Sequence, residues 1–303
     1  MLRPLLLYLS ERETPKRFLA RSPLGRKLAR RFIAGEEFAD AVRAVRELTA
    51  EGFAVTLDHL GESVHESCDA EEAWQVYLGL LDRLASESIN SHISIKLTQL
   101  GLAIDEHATL QHVKALAERA ARYHNFVRID MESSAYTDAT LRVLQAAGAP
   151  SDVLGIVIQS YLYRSEKDVD ELLKNGSRIR LCKGAYNEPP EVAYSRKEEV
   201  DQNYIRLMEK LLLSGHYHAI ATHDPGIIST TREFAAAHGI ATDRFEFQML
   251  YGIRRRLQRE LLRQGYRVRV YVPYGSEWYP YFMRRLAERP ANVFFLIRNM
   301  LRR

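Results

Sequence analysis

Apolar and polar positions along the chain recur in two rhythms. Eight short runs, "FAVTLDHL", "HISIKLTQL", "FVRIDME", "LGIVIQSY", "RIRLCKGAY", "HAIATHD", "RFEFQML" and "RVRVYVPYG", are β-branched or apolar with a period near two, the pattern of strands. Between them lie longer stretches such as "EEAWQVYLGLLDRLAS", "HATLQHVKALAERAARY" and "VDQNYIRLMEKLLLSG", amphipathic in the manner of helices. Several close on the glycine expected just past a helix C-terminus. Strict alternation through eight units implies a parallel sheet. Its most economical closure is a TIM-like (β/α)8 barrel of roughly 250 residues. The first fifty residues read as helices instead, in "TPKRFLA", "LGRKLARRFIAG" and "EEFADAVRAVRELTAEG". An N-terminal helical arm, 1–50, is therefore expected to lead into a barrel domain, 51–303. The segment "GAYNEPPEVAYSRKEE" after the fifth run is long for a βα loop and carries Pro189-Pro190, so it is a candidate active-site cover.

Facing follows from the period of two, because alternate strand residues of a barrel point to the helices and to the axis. Val55 and Leu57 alternate with Thr56 and Asp58; Ile93, Ile95 and Leu97 with Ser94 and Lys96; Val127, Ile129 and Met131 with Arg128 and Asp130. Ile179 and Leu181 alternate with Arg180 and Cys182, and Val268, Val270 and Val272 with Arg269 and Tyr271. The apolar sets must face the helices, which sends Asp58, Lys96, Arg128, Asp130, Arg180, Arg269 and Tyr271 to the axis, joined by Gln159 and Gln248. Branched aliphatic residues ordinarily fill that space, and unpaired buried charge costs several kcal/mol per ion. Mutual pairing, such as Arg128 with Asp130, accounts for part of the set. Lys96, Asp130 and Arg180 stand at the C-terminal ends of their strands, where barrel enzymes hold their chemistry, so a polar ligand with anionic parts is the expected partner.

Composition narrows the setting. The chain has 303 residues, 46% of them hydrophobic and 27% charged, with a net charge of +4, which describes a globular protein with a large core. Two cysteines, Cys68 and Cys182, make no disulfide framework and no zinc pattern, so reducing cytoplasm is the expected compartment. The apolar run in "MLRPLLLYLS" is short and holds a proline, unlike a signal peptide or a membrane span. Basic residues cluster in "YGIRRRLQRELLRQGYRVRV" and in "RNMLRR". Arg255, Arg259 and Arg263 form one helical stripe and Ile253, Leu257 and Leu261 another, so a solvated helix face is expected and no nucleic-acid site.

The strand ends spell a resemblance. "SIKLTQLG", "RIDME", "VIQSYLYR", "RLCKGAY", "ATHD", "FEFQMLYG", "RVYVPYG" and "YFMRRL" occur in order at consecutive units, and together they resemble the proline dehydrogenases. That resemblance implies a distorted (β/α)8 barrel holding FAD at its C-terminal mouth, oxidation of L-proline to Δ1-pyrroline-5-carboxylate by hydride transfer to flavin N5, and electrons passed to a membrane quinone through peripheral membrane contact. It implies Asp130 and Arg180 at the catalytic centre. Met131, Gln159, Arg180, Lys183, Gly184, Ala185, Thr222 and His223 would contact the cofactor; Lys96, Tyr271, Arg284 and Arg285 would form the proline pocket, with Tyr186 and Leu250 as its apolar wall. The residue types suit those roles. A guanidinium stabilises negative charge developing on a flavin, and planar guanidiniums clamp a carboxylate. "THD" ends the sixth run where the family more usually has an asparagine. There is no G-x-G-x-x-G nucleotide fingerprint, which fits the monofunctional form.

Two other classes are set beside this one. His223-Asp224 and Asp58-His59 raise a metal-dependent hydrolase, and Lys96 or Lys183 a Schiff-base barrel enzyme without flavin. His216 and His218 fall at the start of the sixth run and read as structural. The non-enzymatic alternative is a basic scaffold using Arg254 to Arg269 on anionic surfaces.

Overall fold

The computed structural model describes residues 25, 29–61 and 64–288. The helices expected in "TPKRFLA" and the basic "RNMLRR" lie outside the described residues, as do positions 24 and 26–28 of "LGRKLARRFIAG". From residue 36 onward the alternation is as the pattern predicts. Helix α1 (Phe38–Ala50) precedes β1 (Ala54–His59), α2 (Ser67–Ser86), β2 (His92–Ile95), α3 (Glu106–Arg122), β3 (Val127–Ile129) and α4 (Ser134–Ala147). There follow β4 (Leu154–Gln159), α5 (Ser165–Lys174), β5 (Arg178–Cys182), α6 (Lys197–Leu213), β6 (His218–Ala221) and α7 (Pro225–Ala237). The last elements are β7 (Phe245–Leu250), α8 (Arg255–Arg263), β8 (Arg267–Tyr274) and α9 (Trp278–Glu288).

The eight strands close in sequence order into one parallel barrel. Closure is made by β8 against β1, in register from Ala54 opposite Arg269 to His59 opposite Tyr274. Local chemistry sets the ends of the helices. Asp105 caps α3 by accepting from the amides of His107 and Ala108 at 2.8 and 3.0 Å, and Gly148 ends α4 in the left-handed conformation that costs other residues a Cβ clash. The apolar strand positions Leu57, Ile93, Ile95, Val127, Ile129, Ile179 and Leu181 are fully buried in one continuous core with the helices, and α1 contributes Ala41, Val42, Ala44 and Val45 to that same core.

Helix α9 belongs to a second cluster. Its Trp278, Tyr279, Phe282 and Leu286 pack with Phe32 and Ile33 before α1, with Leu60 after β1 and with Ile253 after β7. Backbone bonds from Ala34 to Pro273 and from Gly275 to Gly35 tie that early segment to the end of β8. The α9 side chains thus rest partly on segments that follow the C-termini of β1 and β7. In α8 the expected two stripes are present: Ile253 and Leu261 are buried, while Arg255, Arg259 and Arg263 are exposed, with Arg259 paired to Glu51 at 2.7 Å. Among the described residues no helix is long and apolar enough to cross a membrane.

Candidate active site

Near the mouth the barrel axis is organised around one carboxylate. Asp130, just past β3, accepts from Arg180 Nη1 of β5 at 2.8 Å and from Ser94 Oγ of β2 at 2.7 Å through Oδ1, and from the Tyr271 hydroxyl of β8 at 2.7 Å through Oδ2. Lys96 Nζ lies 4.0 Å from the same Oδ2 and 2.7 Å from Asp58 Oδ1 on β1. Five strands therefore send a polar side chain to one point. The Arg180 guanidinium also sits over the Tyr271 ring at 5.2 Å. Burial works against the charge on Lys96, but Asp58 and Asp130 outweigh it and hold the ammonium above its ordinary range. A lysine held so firmly protonated is a cation for binding, which removes the support for a Schiff-base role. Burial pushes the nearby Cys182 thiol up to about 12, out of the nucleophilic range.

A second layer lies toward the N-terminal ends of the strands. Arg269 Nε pairs with Glu246 Oε1 at 2.8 Å, Tyr217 donates to the other carboxylate oxygen at 3.0 Å, and Gln248 donates to Oε1. The expected pairing of Arg128 with Asp130 is not what the structure has. Arg128 donates to the carbonyls of Ile156 and Arg178 and stacks on Phe126 at 4.6 Å. Side chains two apart on a strand point the same way about 6.6 Å apart, so carbonyls on the adjoining strands β4 and β5 are nearer. The remaining expected axis residues face inward as sorted.

Beside Asp130 the mouth is lined by atoms that ask for a ligand. Gln159, at the end of β4, donates to the Met131 carbonyl at 3.2 Å, and among the described residues its Oε1 and the Nε of Arg180 are buried without a hydrogen-bond partner. Met131 buries its side chain in the main core, so its backbone is what it presents here. Lys183 is held between Asp201 at 2.6 Å and Asp224 at 3.0 Å. "THDPG" fixes Asp224 as the α7 N-cap, with Pro225 at the first turn and Oδ1 accepting from the Gly226 amide at 3.0 Å. The buried Thr222 accepts the Asp224 amide at 3.1 Å. His223 Nε2 accepts the Leu250 amide at 2.9 Å, which makes Nδ1 the protonated nitrogen. Gly184 has φ +115°, and a Cβ there would lie 2.5 Å from the Tyr161 ring. The glycine thus makes room for an aromatic ring of the chain itself, while Ala185 continues the small-residue segment.

The hydrolase reading fails on orientation. Asp58 points to the axis, whereas His59 packs edge-on to Tyr77 and Tyr274 at 6.2 and 5.2 Å; His223 is committed to Leu250. Among the described residues no three His, Cys, Asp or Glu side chains gather as metal ligands. His218 is structural as expected. Its Nδ1 accepts the Ile179 amide at 3.1 Å, and burial depresses its pKa to about 3.

Arg284 and Arg285 on α9 are half-buried. The charge of Arg284 is felt at the Tyr186 hydroxyl and that of Arg285 at the Cys182 thiol, and Arg285 stacks on Tyr281 at 5.2 Å. Leu250 packs against the underside of the α9 cluster. Direct contacts join Lys96, Asp130, Arg180 and Tyr271, with Tyr186 near enough to feel the charges of Lys96 and Arg284. Sequence reasoning left out Glu246, Glu132 and Glu188. Glu246 shares its parity with Gln248 and was open to the same sorting. Glu132 accepts from the Thr98 amide at 3.0 Å and its hydroxyl at 2.5 Å, and burial raises its carboxyl above the ordinary range.

A (β/α)8 barrel with cations and one shared carboxylate at its C-terminal mouth is a barrel enzyme built for a small ligand bearing negative charge. A family model described as proline dehydrogenase matches residues 41–298. Proline dehydrogenase 2 of Bacillus subtilis (strain 168) is 42% identical over 94% of this chain and 94% of its own length, and the proline dehydrogenase of Deinococcus radiodurans is 43% identical over 91% and 90%. Among solved structures, the proline utilization A protein of Bdellovibrio bacteriovorus inactivated by N-propargylglycine superposes with a TM-score of 0.83 at 26% identity, over 90% of this chain and 34% of that one. The chain spans about a third of that neighbour's length. The chain belongs to the proline dehydrogenase family.

Proposed function

We propose that the chain oxidises L-proline to Δ1-pyrroline-5-carboxylate with FAD seated at the barrel mouth, and passes the electrons to a quinone at a membrane surface. The observation that carries the cofactor is the pair of buried, unpartnered atoms, Gln159 Oε1 and Arg180 Nε, one acceptor and one donor. A planar ring edge with both donors and acceptors would satisfy them. FAD, when bound, accepts the hydride that leaves proline C5, while the second hydrogen leaves the nitrogen as a proton. Every other part falls to the chain. Arg180 holds a fixed positive charge where negative charge would develop. Asp130 has its two oxygens committed to Arg180, Ser94 and Tyr271, so it orders the pocket rather than taking a proton. Gln159, Thr222, His223 and the Met131 and Gly184-Ala185 backbone would shape the seat, and Lys183 would neutralise phosphate.

Lys96, Arg284 and Arg285 would meet the carboxylate of proline, with Tyr186, Leu250 and Tyr271 as walls. That carboxylate is present in ground and transition states alike, so losing one guanidinium removes uniform binding. A charge-assisted hydrogen bond is worth about 1.5–3 kcal/mol. Arg284→Met and Arg285→Met are therefore expected to raise KM for proline about 10- to 100-fold, with a smaller fall in kcat and an unchanged flavin spectrum. Pyrrolidine, which lacks the carboxylate, should bind wild type and variants alike. Equal loss of both ligands, or of neither, would remove the clamp.

The cofactor itself is tested by acid precipitation of the purified yellow protein. The described site offers contacts rather than an attachment point, so the colour should pass to the supernatant, and anaerobic L-proline should bleach it beforehand. Colour that stays in the pellet would mean a covalent flavin. A colourless protein that gains no flavin bands on adding FAD would overturn the reading.

A further inference from the structure

The segment between β5 and α6, 183–196, begins at Lys183 and passes Tyr186 before turning through Pro189-Pro190. Its outer half is clipped to the loop after β4: Leu162 and Ala193 form an antiparallel bridge, Tyr163 and Tyr194 exchange backbone bonds with Val192 and Tyr161, and the Tyr163 hydroxyl reaches the Pro190 carbonyl at 2.9 Å. The inner half is anchored differently. Glu188 accepts the Ser134 amide at 2.8 Å through Oε1 and the Ser134 hydroxyl through Oε2, and the Tyr161 hydroxyl donates to Oε1 at 3.3 Å.

Ser134 is the first residue of α4, the helix that follows Asp130 and Met131. That helix lacks a cap of its own: Ser133 at its N-cap makes no side-chain cap bond, and its first turn has no acidic residue. Open amides and the positive end of the helix dipole attract a carboxylate there, and the one that arrives is 54 residues away in sequence. Tyr161 closes the triangle, its ring lying on Gly184 at the start of the strap and its hydroxyl on Glu188 at the far end of the inner half. One carboxylate thus joins the loops after β3, β4 and β5, which carry or adjoin Asp130, Gln159 and Lys183 to Tyr186.

We propose that Glu188 is a positioning residue: by capping α4 from the neighbouring loop it latches the 183–196 strap across the mouth and fixes Tyr186 against the proline pocket. Tyr186 lies two residues before the latch, where the charges of Glu132, Lys96 and Arg284 reach its hydroxyl. With the latch closed the strap covers the pocket; with it open, the covering wall and the α4 cap are lost together. The functional half of this statement rests on the proline-oxidising reading, whereas the latch itself does not.

The test separates the two. Amide hydrogen exchange is followed in the purified full chain for peptides covering 184–196 and 134–140, in wild type, Glu188→Ala, Glu188→Gln and Ser134→Ala, with strand peptides as the folding control. Glu188→Ala should speed exchange in both segments at least tenfold. Ser134→Ala suits a helix first turn and leaves the strap sequence untouched, so faster exchange in 184–196 from that substitution is the decisive sign. Glu188→Gln keeps an acceptor for the Ser134 amide and should restore most of the protection. In turnover, Glu188→Ala should raise KM for proline about tenfold with a lesser fall in kcat, and Glu188→Gln should recover it. Exchange that rises in 134–140 alone would make Glu188 a mere cap and overturn the latch, as would no change in either segment. Loss of protection with KM unmoved would overturn the positioning role. A wild type that protects both segments yet does not oxidise proline would leave the latch standing and fell the proline reading instead.

Discussion

With FAD seated as proposed, Arg180→Met is expected to slow anaerobic flavin reduction by L-proline roughly 10²–10³-fold, the usual effect of removing one charge-stabilising donor from a water-poor site. The side chain is 7% exposed, so its charge acts with little solvent screening. The pocket should survive the change. Asp130 keeps Ser94 and Tyr271 as donors and Lys96 at 4.0 Å, and methionine fills most of the volume over the Tyr271 ring. Stopped-flow bleaching of the flavin is the measurement, with a thermal midpoint within a few degrees of wild type as the control. An unchanged reduction rate at full flavin occupancy would remove Arg180 from the reacting centre. Lost flavin affinity with a normal rate on the loaded fraction would make it a seat for the cofactor only.

The deeper pair should govern stability instead. Replacing Glu246 by glutamine, or Arg269 by methionine, leaves the other charge buried with hydrogen bonds but no counter-charge, which costs about 3–5 kcal/mol. At about 2 °C per kcal/mol in a chain of this size, the thermal midpoint should fall by roughly 6–10 °C. The pH dependence has a definite sign. Burial pushes the Glu246 carboxyl upward, but the Arg269 guanidinium and the hydrogen bonds from Arg269 and Gln248 outweigh it and hold the pKa at about 2. A carboxyl depressed in the folded state stabilises it above the ordinary carboxyl range near 4.3, and that contribution is lost as pH falls from there toward 2. The gap in urea midpoint between wild type and Glu246→Gln should therefore be full at pH 7 and narrow below pH 4.3. A gap that stays constant down to pH 3 would mean that the pair does not carry this stability.

The legibility of the site varied residue by residue, and for a physical reason. Arg180 and Lys96 could be read from one run each, because alternation in a strand has a period of two and a charged residue among valines has only one face to occupy. Their partners could not. Lys96 lies closest to Asp58 on β1, and Arg128 turned to carbonyls of its neighbours, since the nearest group in a barrel comes from another strand. Arg284 and Arg285 look like a solvated pair on a helix until the second apolar cluster holds α9 and leaves both half-buried. Glu188 gave no signal at all: an acidic residue in a proline-rich loop is ordinary, and the helix it caps begins 54 residues earlier.

By itself the sequence determined the eight-unit barrel, the polar lining of its axis and the strand-end residues that mark the family. These rest on short periods and on motifs held within a few residues, where backbone geometry leaves little choice. Tertiary structure alone decided which charges neutralise which, that α9 packs in a second apolar cluster with the segments after β1 and β7, and that the strap after β5 is fastened to α4. Each of those depends on distances between segments far apart in the chain, set only when the sheet closes and the core packs around it.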